Sequence, residues 1–93
     1  MKKTPLTVGQ AVVSRAGRDE GRMFLVLALS GEYALVADGA LRKVGKPKKK
    51  KIRHLKPVAW PAEAAAARLA AGEKVEDYEV REWLSAIVPH EEG

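Results

Sequence analysis

Between Thr7 and Leu55 the apolar residues come in short runs, and most runs are closed by a glycine or an Asp-Gly or Ser-Gly pair. Apolar runs of four to eight residues bounded by turn signals are the pattern of short strands. "QAVVSRA" (10–16) and "RMFLVLAL" (22–29) predict two strands on either side of the loop "GRDEG". Gly17 and Gly21 bound that loop and supply the positive φ or close approach that a chain reversal needs. "EYALVAD" (32–38) predicts a third strand, entered through the turn Ser30-Gly31. Asp38-Gly39 opens a further turn, in which Asp38 is read as the residue before a turn glycine rather than as a catalytic acid. "ALRKV" (40–44) then predicts a fourth strand and "KKIRHL" (50–55) a short closing one. Five short strands joined by tight turns point to a small closed barrel rather than an open sheet.

Past Pro57 the period changes. "PAEAAAARLAAG" places Pro61 where a first helical turn tolerates it, follows with alanines, and stops at Gly72. Leu69 and methyl groups are all this helix has to bury, so it is expected to lie close against the barrel or the second helix. Val80, Trp83, Leu84, Ile87 and Val88 follow at i, i+3, i+4, i+7 and i+8, which draws one apolar stripe along a second helix ended by Pro89. Trp83 on that stripe is read as packing. Glu76, Asp77, Glu79 and Glu82 form the outer face, and acids in a first turn suit the helix dipole. The expected class is mainly β with α. Residues 1–57 form the barrel and 58–93 a helical extension packed on it, as one structural domain.

Charge divides along the same boundary. Residues 1–62 carry 14 Lys/Arg against four acids, +10, whereas 63–93 carry three against eight, −5. Residues 39–62 hold nine Lys/Arg and no acid. A block of that kind attracts polyanions, nucleic acid being the commonest. No cysteine is present, which excludes disulfides and thiolate metal sites. The two histidines stand far apart without a ligand-spaced carboxylate, so neither a metal nor another cofactor is expected. The longest apolar runs, "MFLVLAL" and "AAAARLAA", are too short to span a bilayer, and "MKKTPLTVGQ" lacks the apolar core of a signal peptide. A cytoplasmic, non-membrane protein is the expectation. No nucleophile–base pair or phosphate loop is visible, so catalysis is not expected.

"GKPKKKKIRHL" (45–55) concentrates the charge, with seven of eleven residues basic or potentially basic. Gly45 and Pro47 predict a turn, while Ile52 and Leu55 anchor the far end, so the stretch reads as a basic loop and strand fixed on the fold. Lysine is a flexible point charge suited to phosphate, and arginine a planar fork suited to bidentate contacts. Lys46, Lys48, Lys49, Lys50 and Lys51 are the candidates for phosphate neutralisation. Arg53, together with Arg15, Arg18 and Arg22 around the first loop, are candidates for directed contacts; Arg42, Lys43 and His54 complete the set. About six such contacts predict a slope of log K against log salt of roughly −4 to −5. Aromatic residues are few, and Phe24 and Tyr33 fall in strands. Trp60 is expected to cover the open end of the barrel. Recognition of shaped, structured RNA is therefore expected in preference to base stacking.

"VGQAVVSRAGRDEGR" (8–22), with glycines at 9, 17 and 21 around an alternating strand, resembles a KOW motif, the RNA-associated strand-loop-strand element of ribosomal and elongation proteins. "EYALVADG" followed by a basic segment ending "IRHLKP", and then "GEKVEDYEVREWL", resembles the KOW-type large-subunit ribosomal protein family numbered fourteen in the archaeal and eukaryotic set, and its small bacterial relatives. The resemblance covers roughly residues 8 to 86. It implies an SH3-like barrel that binds ribosomal or other structured RNA; the acidic helix suits ribosomal proteins as further partners, and without an exposed heptad pattern a monomer is expected outside the ribosome. Where related sequences often cap the last helix with Ser or Thr, this chain has Glu76 beside Asp77, so a capping box is not expected. A protein-interaction module and a DNA-binding barrel remain the alternatives, since composition does not separate one polyanion from another.

Overall fold

The structure, a computed structural model, describes residues 6–58 and 63–87. Five antiparallel strands are followed by two helices. The strands are β1 (Ala11–Ser14), β2 (Met23–Ser30), β3 (Tyr33–Ala37), β4 (Lys48–Lys51) and β5 (Leu55–Pro57). The helices are α1 (Glu63–Ala70) and α2 (Asp77–Ser85). Spatial order in the sheet is β4-β3-β2-β1-β5.

Three expectations are corrected. The barrel is not closed, because β4 and β5 are the two edges and do not pair with each other among the described residues. Residues 40–44 form no strand: the Asp38 carboxylate accepts the backbone N–H groups of Ala40 and Arg42, both at 2.8 Å, and folds that segment into a turn. The single closing strand expected at 50–55 is two strands, split by a 3-10 turn at Ile52–His54.

That turn explains why the sheet curls without closing. Four strand spacings separate β4 from β5, about 19 Å if the sheet were flat. A link of three residues in 3-10 geometry advances only about 8 Å from one strand end to the next. The edges are therefore drawn towards each other, though no ladder forms across the seam among the described residues.

β2 supplies both halves of the core. Phe24 and Val26 point inward with Leu6, Val12, Ala34, Val36, Ile52 and Leu55. Leu25 and Leu27 point outward, where Ala65, Leu69, Val75, Val80, Trp83 and Leu84 of the helical half cover them. A register shift between Val26 and Ala28 resets the alternation, so that Leu29 packs on the inner cluster. Phe24 is 1% exposed, and truncating such a ring costs about 3–5 kcal/mol.

The alanine-rich helix packs close, as its composition requires. A Cβ on Gly9 would stand 2.8 Å from the backbone of Ala66, so only glycine in the turn before β1 permits this approach of α1. Gly72, at φ 77°, stops the helix by turning the chain; its N–H donates to the Leu69 carbonyl. On α2, Val80 is buried and Trp83 and Leu84 pack on the outer cluster, while Val88 and Pro89 lie outside the described residues. Trp60 and Pro61 lie outside them as well. Glu79 reaches back to accept the Glu76 N–H at 3.0 Å, a contact belonging to the capping box that the sequence argued against.

Candidate nucleic-acid interface

Strand directions bring the β1–β2 loop (15–22) and the β3–β4 loop (38–47) to the same end of the sheet. One ion pair joins them, Arg22 Nη2 donating to Asp38 Oδ2 at 3.2 Å, and a second ties the first loop to the start of β4, Lys48 Nζ donating to Asp19 Oδ2 at 2.6 Å. The first loop is compact, with a 3-10 turn at Gly17–Asp19 between Gly17 (φ 78°) and Gly21 (φ 89°). No other residue crowds Gly21, so its backbone conformation rather than a close approach demands glycine.

The second loop is braced from inside and from behind. Inside, Asp38 is buried and its Oδ1 holds the two N–H groups of the turn. Burial pushes its carboxyl up, but the Arg42 and Ala40 N–H groups and the Arg22 guanidinium outweigh this and hold it below the usual carboxylate range. Behind, Asp77 of α2 accepts the Val44 N–H at 2.8 Å, and Arg81 donates to the Gly39 carbonyl at 2.6 Å. A Cβ at Gly39 would lie 2.3 Å from the Asp77 carbonyl oxygen, so helix and loop touch through backbone. Lys43 and Lys46 are exposed on this braced loop, with Arg42 half-buried beside them.

The lysine run divides by face. Strand geometry sends alternate side chains to opposite sides. Lys50 is 8% exposed; its Nζ donates to Ser14 Oγ at 2.7 Å and the Ala16 carbonyl at 3.1 Å, with the Asp19 carboxylate 3.6 Å away. It thus spans the open seam from edge strand β4 to the end of β1. Lys48, on the same side, is engaged by Asp19, whose carboxyl is held low chiefly by the Lys48 hydrogen bond against the opposing effect of burial. Lys49 and Lys51 face the other way, over the ring of Tyr33 at 4.5 and 5.9 Å from its centroid.

Of the remaining candidates, Arg15, Arg18 and Arg53 are exposed, and His54 is half-buried with its carbonyl accepting the Arg15 N–H at 2.8 Å. The exposed cations among these candidates are therefore Arg15, Arg18, Lys43, Lys46, Lys49 and Arg53, with Lys51 and Arg42 half-buried, Arg22 and Lys48 ion-paired and Lys50 turned inward. Sequence reasoning missed Tyr33 as the partner of two lysines and Asp19 as an internal counter-ion. Alternation along "KKKK" was the signal available for both.

In the acidic half, Arg68 of α1 pairs with Glu79 and, at 3.4 Å, with Glu73. That pairing raises the guanidinium's hold on its proton and lowers the Glu79 carboxyl, which the Glu76 N–H lowers first. Among the described residues no three His, Asp or Glu side chains converge as metal ligands do, and no helix is long and apolar enough to cross a membrane. No family model and no curated protein matches the chain.

Proposed function

We propose that the protein binds structured RNA through the basic rim formed by the β1–β2 and β3–β4 loops, as a KOW-type domain acting on ribosomal RNA in the cytoplasm. One observation carries the reading. Arg15, Arg18, Lys43 and Lys46 are displayed on two loops that ion pairs and helix α2 hold in place before any ligand arrives. Preorganised cations lose little entropy on meeting phosphates, and the glycines at 17 and 21 keep the backbone of the first loop open to close approach. A rim built from loops of a rigid sheet suits the backbone of folded RNA, where phosphate contacts position the partner. The role is one of binding, without catalysis.

Co-sedimentation with ribosomal subunits across a salt series tests this, with wild type beside an Arg18→Ala/Lys43→Ala/Lys46→Ala variant. Wild type is expected with the large subunit and to be released with a log–log slope of roughly −3.5 to −4.5, for about five phosphates. The variant is expected to remain in the light fractions. Wild type staying there even at low salt removes the ribosomal assignment, and binding to free duplex DNA in preference to RNA removes the RNA assignment.

A further inference from the structure

Tyr33 stands at the start of β3, away from the two basic loops, and its surroundings differ from theirs. β3 pairs with edge strand β4 so that Tyr33 stands opposite Lys51 and Leu35 opposite Lys49. These four side chains share the outer face, with exposed Ser30 of β2 opposite Tyr33 on the other flank. Both lysine ammonium groups gather on the one ring, at 4.5 and 5.9 Å from its centroid. No carboxylate belongs to this group of five residues.

We propose that Tyr33, flanked by Lys49 and Lys51, seats one unpaired nucleotide of the bound RNA, its base on the phenol ring and its neighbouring phosphates on the two lysines. The proposal rests on the RNA-binding reading and adds a recognition element to it. The π face that attracts ammonium groups also stacks a base. Lysine stems are flexible, so the ammonium groups swing from the ring to phosphates as a base arrives. Alternate residues on a strand stand about 6.6–6.8 Å apart, which suits successive phosphates of an extended strand. The ring is half-buried on the face of a strand. A base within a helix is held in its stack and does not reach such a ring, whereas a splayed base from a bulge or loop does. Recognition by shape at the rim is thereby joined to stacking at one position.

The test uses two labelled RNA stems, one fully paired and one with a single 2-aminopurine bulge, read by fluorescence anisotropy and by quenching of the 2-aminopurine. Wild type and Tyr33→Phe are expected to prefer the bulged stem by roughly tenfold and to quench the bulge. Tyr33→Leu is expected to lose preference and quenching while binding the paired stem as wild type does. Lys49→Ala/Lys51→Ala is expected to weaken the bulged stem more than the paired one, and Lys43→Ala to weaken both alike. Matched thermal unfolding of the variants separates loss of the site from loss of the fold. If wild type binds both stems equally, or Tyr33→Leu keeps the preference, the Tyr33 site falls while RNA binding stands. If wild type binds neither stem, the RNA reading falls and this site with it.

Discussion

Lys49 and Lys50 are adjacent and chemically identical, yet they occupy opposite sides of the same strand and do opposite things. Lys50 is inside, 8% exposed, and its ammonium group is committed to Ser14, Ala16 and Asp19. Lys49 is outside, on the Tyr33 ring, and free to move from it. The inner pair of the run, Lys48 and Lys50, holds the β1–β2 loop against edge strand β4; the outer pair, Lys49 and Lys51, presents charge. A charge run on a strand is thus two objects, and the local partner decides which lysine belongs to which.

The largest effect that sharpens this contrast is on stability. Lys50→Ala removes the donor across the seam and leaves buried acceptors short, at a cost of about 2–3 kcal/mol. Lys49→Ala stays within about 0.5 kcal/mol of wild type, as a surface change does. Urea unfolding of the two variants side by side measures this, and equal losses would erase the distinction between the faces. Affinity should run the other way. Lys49→Ala/Lys51→Ala weakens binding to a bulged RNA stem about tenfold, near 1.4 kcal/mol, and lowers the magnitude of its salt slope by roughly 1.4 to 1.8.

Asp19 ties the inner pair together, and pH tests it. Asp19 and Asp38 have folded-state pKa values depressed below the ordinary range. Their contribution to stability is therefore complete above about pH 4 and is lost as pH falls through the depressed folded values. Asp19→Asn is expected to lose about 1 kcal/mol or less at neutral pH, converging on wild type in acid, and to bind RNA more tightly because Lys48 is released. Unfolding midpoints compared at neutral and acid pH check the first statement, and a titration with the paired stem checks the second. Of similar size, Tyr33→Leu gives up a cation–π contact of about 0.5–1 kcal/mol at a half-buried ring, a shift visible only in carefully matched melts.

What was legible in the sequence follows from where the information lies. β1, β2 and β3 announce themselves because each is a short apolar run and glycine turns separate them. Both helices are equally plain from alanine content and the Val80–Trp83–Leu84 stripe. "ALRKV" misled because it stands between two turn signals, but the Asp38 side chain captures two of its N–H groups and local hydrogen bonding prevails. β4 was only half visible: a strand made wholly of lysine has no apolar rhythm, and it is tolerated because it lies at an edge. At the interface, the basic loops and their glycines were readable. The inward turn of Lys50 was not, since its main partner, Ser14, lies 36 residues away in the chain. The brace from α2 was hidden for the same reason, because Asp77 and Arg81 look like ordinary surface charges until they meet the loop of residues 39–44.

The open edge at β4 has a consequence for the protein in a crowded solution. An uncovered strand offers its backbone to any other strand, and two copies joining edge to edge is the first step towards an aggregate. Here the edge consists of Lys48–Lys51, so a second copy aligned on it would set ammonium groups against ammonium groups. The charge on this edge thereby weighs against pairing with its own kind, and the sheet can remain unclosed without becoming a template for assembly.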